Sequence, residues 1–274
     1  MKSRTIRTSL VLTAILAFAA VTHAQSTTEP YQPKVGQAGK DVVWVPTPAE
    51  MVERMLDLAG VTPKDVVMDL GSGDGRNVIA AAKRGARAVG VEYNADLVEL
   101  SKKNADAAGV GDKATFVQGD MYEADVSKAT VLALFLLPEN LRVLLPKILD
   151  MKPGTRVVAN TFGFSGWTPD ATTRMEEGCR SWCEAMLYVV PAKVDGSWQL
   201  PQGTLELHQD FQTVRGTLTS NGETLTLENG AVKVDELTFT AGQATYTGRV
   251  RGDTITGTVK TGGKEQRFTA TAKR

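Results

Sequence analysis

The chain has 274 residues, with 31 basic side chains against 31 acidic ones and 42% hydrophobic residues. That length accommodates a core-bearing domain plus a smaller one, and the balanced charge offers no electrostatic argument for a nucleic-acid partner. Two cysteines and two histidines leave little material for a metal site.

In chain order, Lys2, Arg4 and Arg7 precede an apolar run from Leu10 to Ala20, and Thr22-His23-Ala24 then offers small residues before Gln25. Residues 1–25 therefore read as a secretory signal, with an uncleaved inner-membrane anchor as the alternative and membrane contact expected only in that case. Residues 26–40, rich in Thr, Pro, Gln and Gly, read as a flexible leader. Thr47-Pro48-Ala49-Glu50 has the form of a helix start, with Thr47 as N-cap and Glu50 closing a capping box. Met51, Val52, Met55, Leu56 and Ala59 then give the helix one apolar face.

Val66 to Leu70 is a short apolar strand that empties into Gly71-Ser72-Gly73-Asp74-Gly75, and helix formers follow from Asn77 to Arg84. Glycines at a strand-to-helix turn permit positive φ and close approach of a ligand, and the helix N-terminal amides face that ligand. A second strand, Ala86 to Glu92, ends in a carboxylate about twenty residues beyond the glycines, where it can accept from both hydroxyls of a ribose. The glycine spacing is not G-x-G-x-x-G, and Asp69 stands just before the turn. An anion there repels a pyrophosphate but suits a ligand with an ammonium and a sulfonium, which is S-adenosylmethionine. A helix from Ala95 to Ala108, a third strand over Ala114 to Gln118, an almost wholly apolar fourth strand from Ala129 to Leu137, a helix from Asn140 to Leu149 and a fifth strand from Thr155 to Phe162 complete a repeating α/β pattern. Ligands of such sheets lie at the carboxyl ends of the strands, so residues from Leu136 to Asn140 border the transferred group.

Asp69 to Arg76, followed by Gly90-Val91-Glu92-Tyr93-Asn94-Ala95-Asp96-Leu97-Val98, resembles the class I methyltransferases related to the mitochondrial protein-lysine methyltransferases of the ATP synthase c subunit and the adenine nucleotide translocase. The resemblance runs from about Val43 to Asp170 and implies a Rossmann-like sheet, S-adenosylmethionine as cofactor and a protein lysine as acceptor, with a small molecule as the alternative acceptor. It implies that Thr47, Asp69, Gly71, Ser72, Gly73, Glu92, Tyr93, Asn94, Asp120, Met121 and Leu136 hold the cofactor. Within that set Asp120 reads the adenine amino group and the next backbone N–H meets a ring nitrogen, while Trp44, Pro46 and Thr47 form a lid. It further implies that Trp167, in Phe162-Gly163-Phe164-Ser165-Gly166-Trp167-Thr168-Pro169, walls the acceptor channel, while a lone Trp more commonly closes the core as a buried aromatic; Gly163 stands where the relatives tend to have proline. No Asn-Pro-Pro-Tyr motif is present, which disfavours nucleobase methylation. Glu139 and Asn160, at strand ends, are candidates to position the amine or receive its proton, and no histidine lies between 41 and 170 to serve as base.

The methyltransferase domain is thus expected over 41–170. Residues 171–197 are expected as a linker carrying Cys179 and Cys183, whose spacing is not that of a zinc site. The two cysteines make either a short disulfide or two free thiols. From Trp198 the texture changes to short alternating runs. Asn221-Gly222, Asn229-Gly230, Gly252-Asp253 and Gly262-Gly263 mark hairpins, so 198–274 is expected as a small antiparallel barrel or meander in which His208 is an ordinary solvated strand residue. A rival to the enzyme is an exported binding module that keeps the methyltransferase fold, since the methyl donor is made in the cytoplasm.

Overall fold

The computed structural model describes residues 31–177 and 179–273; the expected signal segment 1–25 and residues 26–30 of the expected leader lie outside them. Alternation along the strands builds the first layer structure. In β1 (Val66–Leu70) and β4 (Val131–Leu134), Val67, Val131 and Ala133 point to one face, and Met68, Leu70, Leu132 and Leu134 to the other. Helices α1 (Ala49–Leu58), α2 (Arg76–Lys83) and α3 (Ala95–Ala107) cover the first face, and α4 (Pro138–Leu149) covers the second through Leu141, Leu144 and Ile148. With both faces covered, the central strands can be wholly apolar. Among the described residues no helix is long and apolar enough to cross a membrane.

The sheet has seven strands in the order β3-β2-β1-β4-β5-β7-β6, with β2 (Arg87–Glu92), β3 (Ala114–Gln118) and β5 (Arg156–Asn160) parallel to β1 and β4. The order reverses between β1 and β4, and the crevice at such a switch point is where an open α/β sheet takes its ligand. Residues 171–197, expected as a linker, instead supply sheet. β6 (Ala171–Arg174) and β7 (Glu184–Val189) form a hairpin, and β7 runs antiparallel beside β5. Ala185 and Tyr188 fill the two faces there, so the strand completes both cores. The hairpin tip carries a Cys179–Cys183 disulfide.

Residues 196–272 form a closed eight-stranded antiparallel barrel, from β8 (Gly196–Leu200) through β9 (Gly203–Asp210), β10 (Thr213–Ser220), β11 (Glu223–Lys233), β12 (Glu236–Ala241), β13 (Ala244–Arg251) and β14 (Thr254–Thr261) to β15 (Lys264–Ala272), which pairs back onto β8. Trp198, Leu205, Leu207, Phe239, Ile255 and Phe268 fill its interior, so it is a packed core. Asn221-Gly222 and Gly262-Gly263 make tight turns with positive φ at both central residues. Asn229-Gly230, expected as a hairpin, is a bulge inside β11, where the register to β12 shifts between Glu228 and Ala231. A Cβ on Gly230 would stand 2.2 Å from the Val214 carbonyl oxygen, so the glycine is needed where the strand curls to close the barrel. His208 is exposed on β9.

Pro33–Arg274 form one compact unit. The barrel seats on the α4 face of the sheet: the Phe211 ring stacks on Trp167 at 5.2 Å, and Gln212 Nε2 donates to the Thr168 carbonyl at 2.8 Å. Trp167, expected to wall the acceptor channel, is therefore a core residue. It is 2% exposed and packs with Phe164 and Tyr188, because a large ring at this position is needed to fill the space between sheet and barrel.

Candidate active site

The glycine turn after β1 is held by the neighbouring strand. The Gly71 and Ser72 N–H groups donate to the Val91 carbonyl at 2.8 and 3.1 Å, and Gly73 N–H donates to Glu92 Oε2 at 2.9 Å. Gly71, Gly73 and Gly75 have φ of 78°, 56° and 83°. From α3, Ser101 Oγ donates to the Gly73 carbonyl and Asn104 Nδ2 to the Asp74 carbonyl. The turn is thus fixed from two sides before any ligand arrives.

Glu92 Oε1 accepts from Asn94 N–H at 2.9 Å, so each carboxylate oxygen holds one backbone N–H and keeps a lone pair, and the residue lines the cavity. Asn94 also caps α3, its side chain accepting from Asp96 and Leu97 N–H. Around the cavity stand Thr47, Asp69, Gly71, Ser72, Gly73, Glu92, Tyr93, Asn94, Asp120 and Met121, which are ten of the eleven residues expected to hold the cofactor. Leu136 lies behind, 2% exposed, with Cδ2 3.4 Å from where a Cβ on Gly71 would sit. It supports the turn.

Trp44, Pro46 and Thr47, the expected lid, belong to a longer segment that lines the cavity. Residues 33–40, within the expected flexible leader, fold back: Gly36 N–H donates to the Trp44 carbonyl, Trp44 N–H donates to the Gln37 carbonyl, and residues 37–47 line the cavity. Lys40 Nζ reaches Asp120 Oδ2 at 2.5 Å and lies 5.3 Å from the Tyr93 ring centre. The hydrogen bond from Lys40 holds the Asp120 carboxyl below the usual carboxylate range, assisted by the Tyr122 N–H. Asp120 Oδ2 is thus engaged by Lys40 and Oδ1 by Tyr122 N–H, and each oxygen keeps a lone pair that an adenine amine can reach beside them. Arg76 clamps the lid from below, donating to the Thr47 carbonyl at 2.6 Å while paired with Asp74. Neither Lys40 nor Arg76 was marked by spacing, because the contacts of Lys40 with Asp120 and of Arg76 with the Thr47 carbonyl form only through the fold.

Thr47 is not the expected N-cap. α1 begins one residue later, after Pro48, without a side-chain cap, and Glu50 pairs with Arg54 in place of a capping box. Thr47 is instead buried against Asn160, whose Nδ2 lies 3.5 Å from Thr47 Oγ1. Asn160 is 0% exposed, also accepts from Thr161 Oγ1, and does not line the cavity. Glu139 lies exposed on the first turn of α4 and outside the cavity wall. Of the three acceptor-side candidates, none lines the cavity; Phe135, which does, is the residue that sequence reasoning missed.

The donor set fits S-adenosylmethionine. Ser72 Oγ and Asn77 Oδ1 are buried polar atoms without a partner, and Asp69, Glu92 and Asp120 stand at the cavity where an ammonium, a ribose and an adenine amine would each meet an acid. Burial pushes the Asp69 carboxyl up to about 7, Asn77 Nδ2 at 3.0 Å opposes that rise, and the charges of Glu92 and Asp74 add to it. A carboxyl raised in this way is favourable to folding below its unfolded pKa of about 3.9, and that advantage is lost as pH rises through about 7. A cationic ligand favours the ionised form, so S-adenosylmethionine should bind more tightly between pH 6 and 8 as pH rises, with release of up to about one proton. Calorimetry in buffers of different ionisation enthalpy measures this, and D69N should flatten the profile. Unchanged pH dependence in D69N would remove Asp69 from the account.

The comparisons agree with this geometry. The ANTKMT methyltransferase domain family matches residues 69–171. A protein-lysine N-methyltransferase of Saccharolobus islandicus (strain REY15A) is 44% identical over 140 residues, covering 50% of this chain and 87% of that protein. The adenine nucleotide translocase lysine N-methyltransferase of Mus musculus is 36% identical over 132 residues, 47% of this chain and 57% of that protein, so the chain spans less than two thirds of that relative's length. A crystal structure described as an RNA methyltransferase from Salinibacter ruber, in complex with S-adenosyl-L-homocysteine, is 45% identical, covers 55% of this chain and 96% of that one, and superposes with a TM-score of 0.52. With the acid-lined glycine cradle at the switch point, and with the Saccharolobus and Salinibacter relatives matched over most of their own length, the chain belongs to the S-adenosylmethionine-dependent methyltransferases, its residues 69–171 matching the ANTKMT methyltransferase domain family.

Proposed function

We propose that this methyltransferase modifies a lysine side chain of a protein. The observation that carries the reading is the 44% identity to the archaeal protein-lysine N-methyltransferase across 87% of that protein. When bound, S-adenosylmethionine supplies a sulfonium-activated methyl carbon that a neutral amine takes in line, the N–C bond forming as the S–C bond breaks and its electron pair stays on sulfur. The protein's own work is positional. Glu92 and the glycine turn fix the donor end, the lid over residues 37–47 excludes water, and Phe135 borders the acceptor side.

Because lysine has a pKa near 10.4, the neutral amine is scarce at pH 7, and the rate should climb with pH above neutrality. Incubating the mature protein with labelled donor, envelope extract and total RNA at several pH values, then locating the label by mass spectrometry, tests the reading. Label on lysine with a rate that rises with pH is the expected result. Label on RNA, the acceptor class named for the Salinibacter protein, overturns it, and so does label confined to metabolites.

The reading extends to an exported, envelope location. The basic and apolar N-terminal segment supports it, and so does the Cys179–Cys183 disulfide, since such bonds persist in oxidising compartments. Fractionating the same cells before labelling shows whether donor and protein share a compartment.

A further inference from the structure

Phe135 belongs to two environments. It follows β4 in the wall of the cofactor cavity, and its ring also stands 5.4 Å from Trp182 and 6.5 Å from Phe162, which are themselves 6.0 Å apart. Phe135 and Phe162 lie nearly parallel at 19°, and Trp182 tilts across them at 59° and 56°. All three rings are half-buried, whereas Phe164, Trp167 and Tyr188 are buried in the core. Phe162 packs against the core on the α4 side and Phe135 reaches the cavity wall, so the trio is a half-buried aromatic group that joins the cavity wall to the hairpin tip.

Each ring is held by a separate device. The buried central strand β4 leads directly into Phe135. Phe162 follows Thr161, a β-branched residue at φ 64°, in a turn closed by Phe162 N–H to the Asn160 carbonyl at 2.6 Å and by Thr161 N–H to the Glu184 carbonyl at 2.7 Å. Trp182 is itself left-handed at φ 66°, next to Cys183 in the disulfide-tied tip of the β6–β7 hairpin. Met175 N–H donates to the Cys183 carbonyl at 2.8 Å and closes that tip. Non-glycine residues persist in this region of φ only where their surroundings over-determine them, and here two of them adjoin or carry the same aromatic group.

We propose that Trp182, with Phe135 and Phe162, forms the acceptor wall that holds the lysine stem and its nitrogen beside the transferable methyl, the Cys179–Cys183 bond keeping Trp182 in place. The proposal rests on the lysine reading above. Apolar ring faces pack against the methylene stem, and their negative quadrupoles favour the positive charge that passes to nitrogen during transfer. An oxygen acceptor ends such a transfer neutral once its proton is lost, so it gains nothing lasting from this wall.

The test titrates Nα-acetyl-lysine methylamide into protein saturated with S-adenosyl-L-homocysteine, for wild type, W182A and W182F. Wild type should bind it, W182A about tenfold or more weakly and W182F in between, while affinity for S-adenosyl-L-homocysteine and the thermal midpoint stay unchanged. The isosteric Nα-acetyl-2-aminoheptanoic acid methylamide, with a methyl in place of the ammonium, should bind wild type more weakly than the lysine probe. Equal affinity of W182A and wild type for the lysine probe, no binding to wild type, or parallel loss of S-adenosyl-L-homocysteine would each overturn the wall. Labelling keeps the two ideas separate: label on RNA in wild type defeats the lysine reading, whereas lysine labelled at the same rate by W182A defeats only the wall. A C179S/C183S variant should lower lysine labelling several-fold with donor affinity intact, and an unchanged rate would remove the cross-link from the proposal.

Discussion

Replacing Glu92 with alanine is expected to weaken S-adenosylmethionine binding by about 100-fold or more. Its two oxygens accept from Gly73 N–H and Asn94 N–H, both at 2.9 Å, and retain lone pairs for the ribose hydroxyls. Removing it deletes two charge-assisted bonds to the ligand, each about 1.5–3 kcal/mol, and also leaves the Gly73 N–H without its acceptor. Glu92→Gln should fall between alanine and wild type, because an amide keeps one acceptor oxygen but turns an N–H₂ group toward one of the two backbone donors. Calorimetry with purified variants reads the effect directly. Wild-type affinity in Glu92→Ala would mean that the ribose is held elsewhere.

Gly75→Ala is expected to be the most damaging small substitution in the cradle. The residue sits at φ 83°, and an added Cβ would stand 2.7 Å from the Phe116 ring and 3.0 Å from Ser101 Cβ. Left-handed strain and overpacking together cost on the order of 3 kcal/mol, a large share of a typical domain's stability. Adding Phe116→Leu should recover the overpacking part and leave the backbone part, so the double variant falls between the single Gly75→Ala variant and wild type. Denaturant unfolding of the set measures this coupling. A Gly75→Ala protein as stable as wild type would show that the turn relaxes without cost.

Both effects come from a stretch that was legible in the chain, and the reason is locality. The β1 strand, its glycines and Glu92 lie within one βαβ unit, so the spacing of residue types reports the geometry directly. The barrel was legible for the same reason: strict alternation and two-residue turns such as Asn221-Gly222 specify hairpins between neighbours in sequence. Asn229-Gly230 misleads because the same dipeptide serves a bulge as readily as a turn, and only barrel closure selects between them.

Where partners are distant in sequence, the pattern falls silent. β7 is an antiparallel return strand with mixed burial, and its place beside β5 depends on a hairpin tip that the spacing of Cys179 and Cys183 does not specify by itself. Trp167 has the composition of a channel wall and the position of a core residue, because Phe211, from the barrel, stacks on it. Lys40 reaches Asp120 across 80 positions, and Trp182 reaches Phe135 only after the sheet has brought the ends of β4, β5 and the β6–β7 hairpin together. The sequence by itself determined the cofactor cradle, its acids and the two kinds of sheet, since these follow from short-range periodicity and backbone stereochemistry. Tertiary structure alone decided which side chains line the cavity and which fill the core, because burial and ring contacts are properties of surfaces that meet only when the chain has folded.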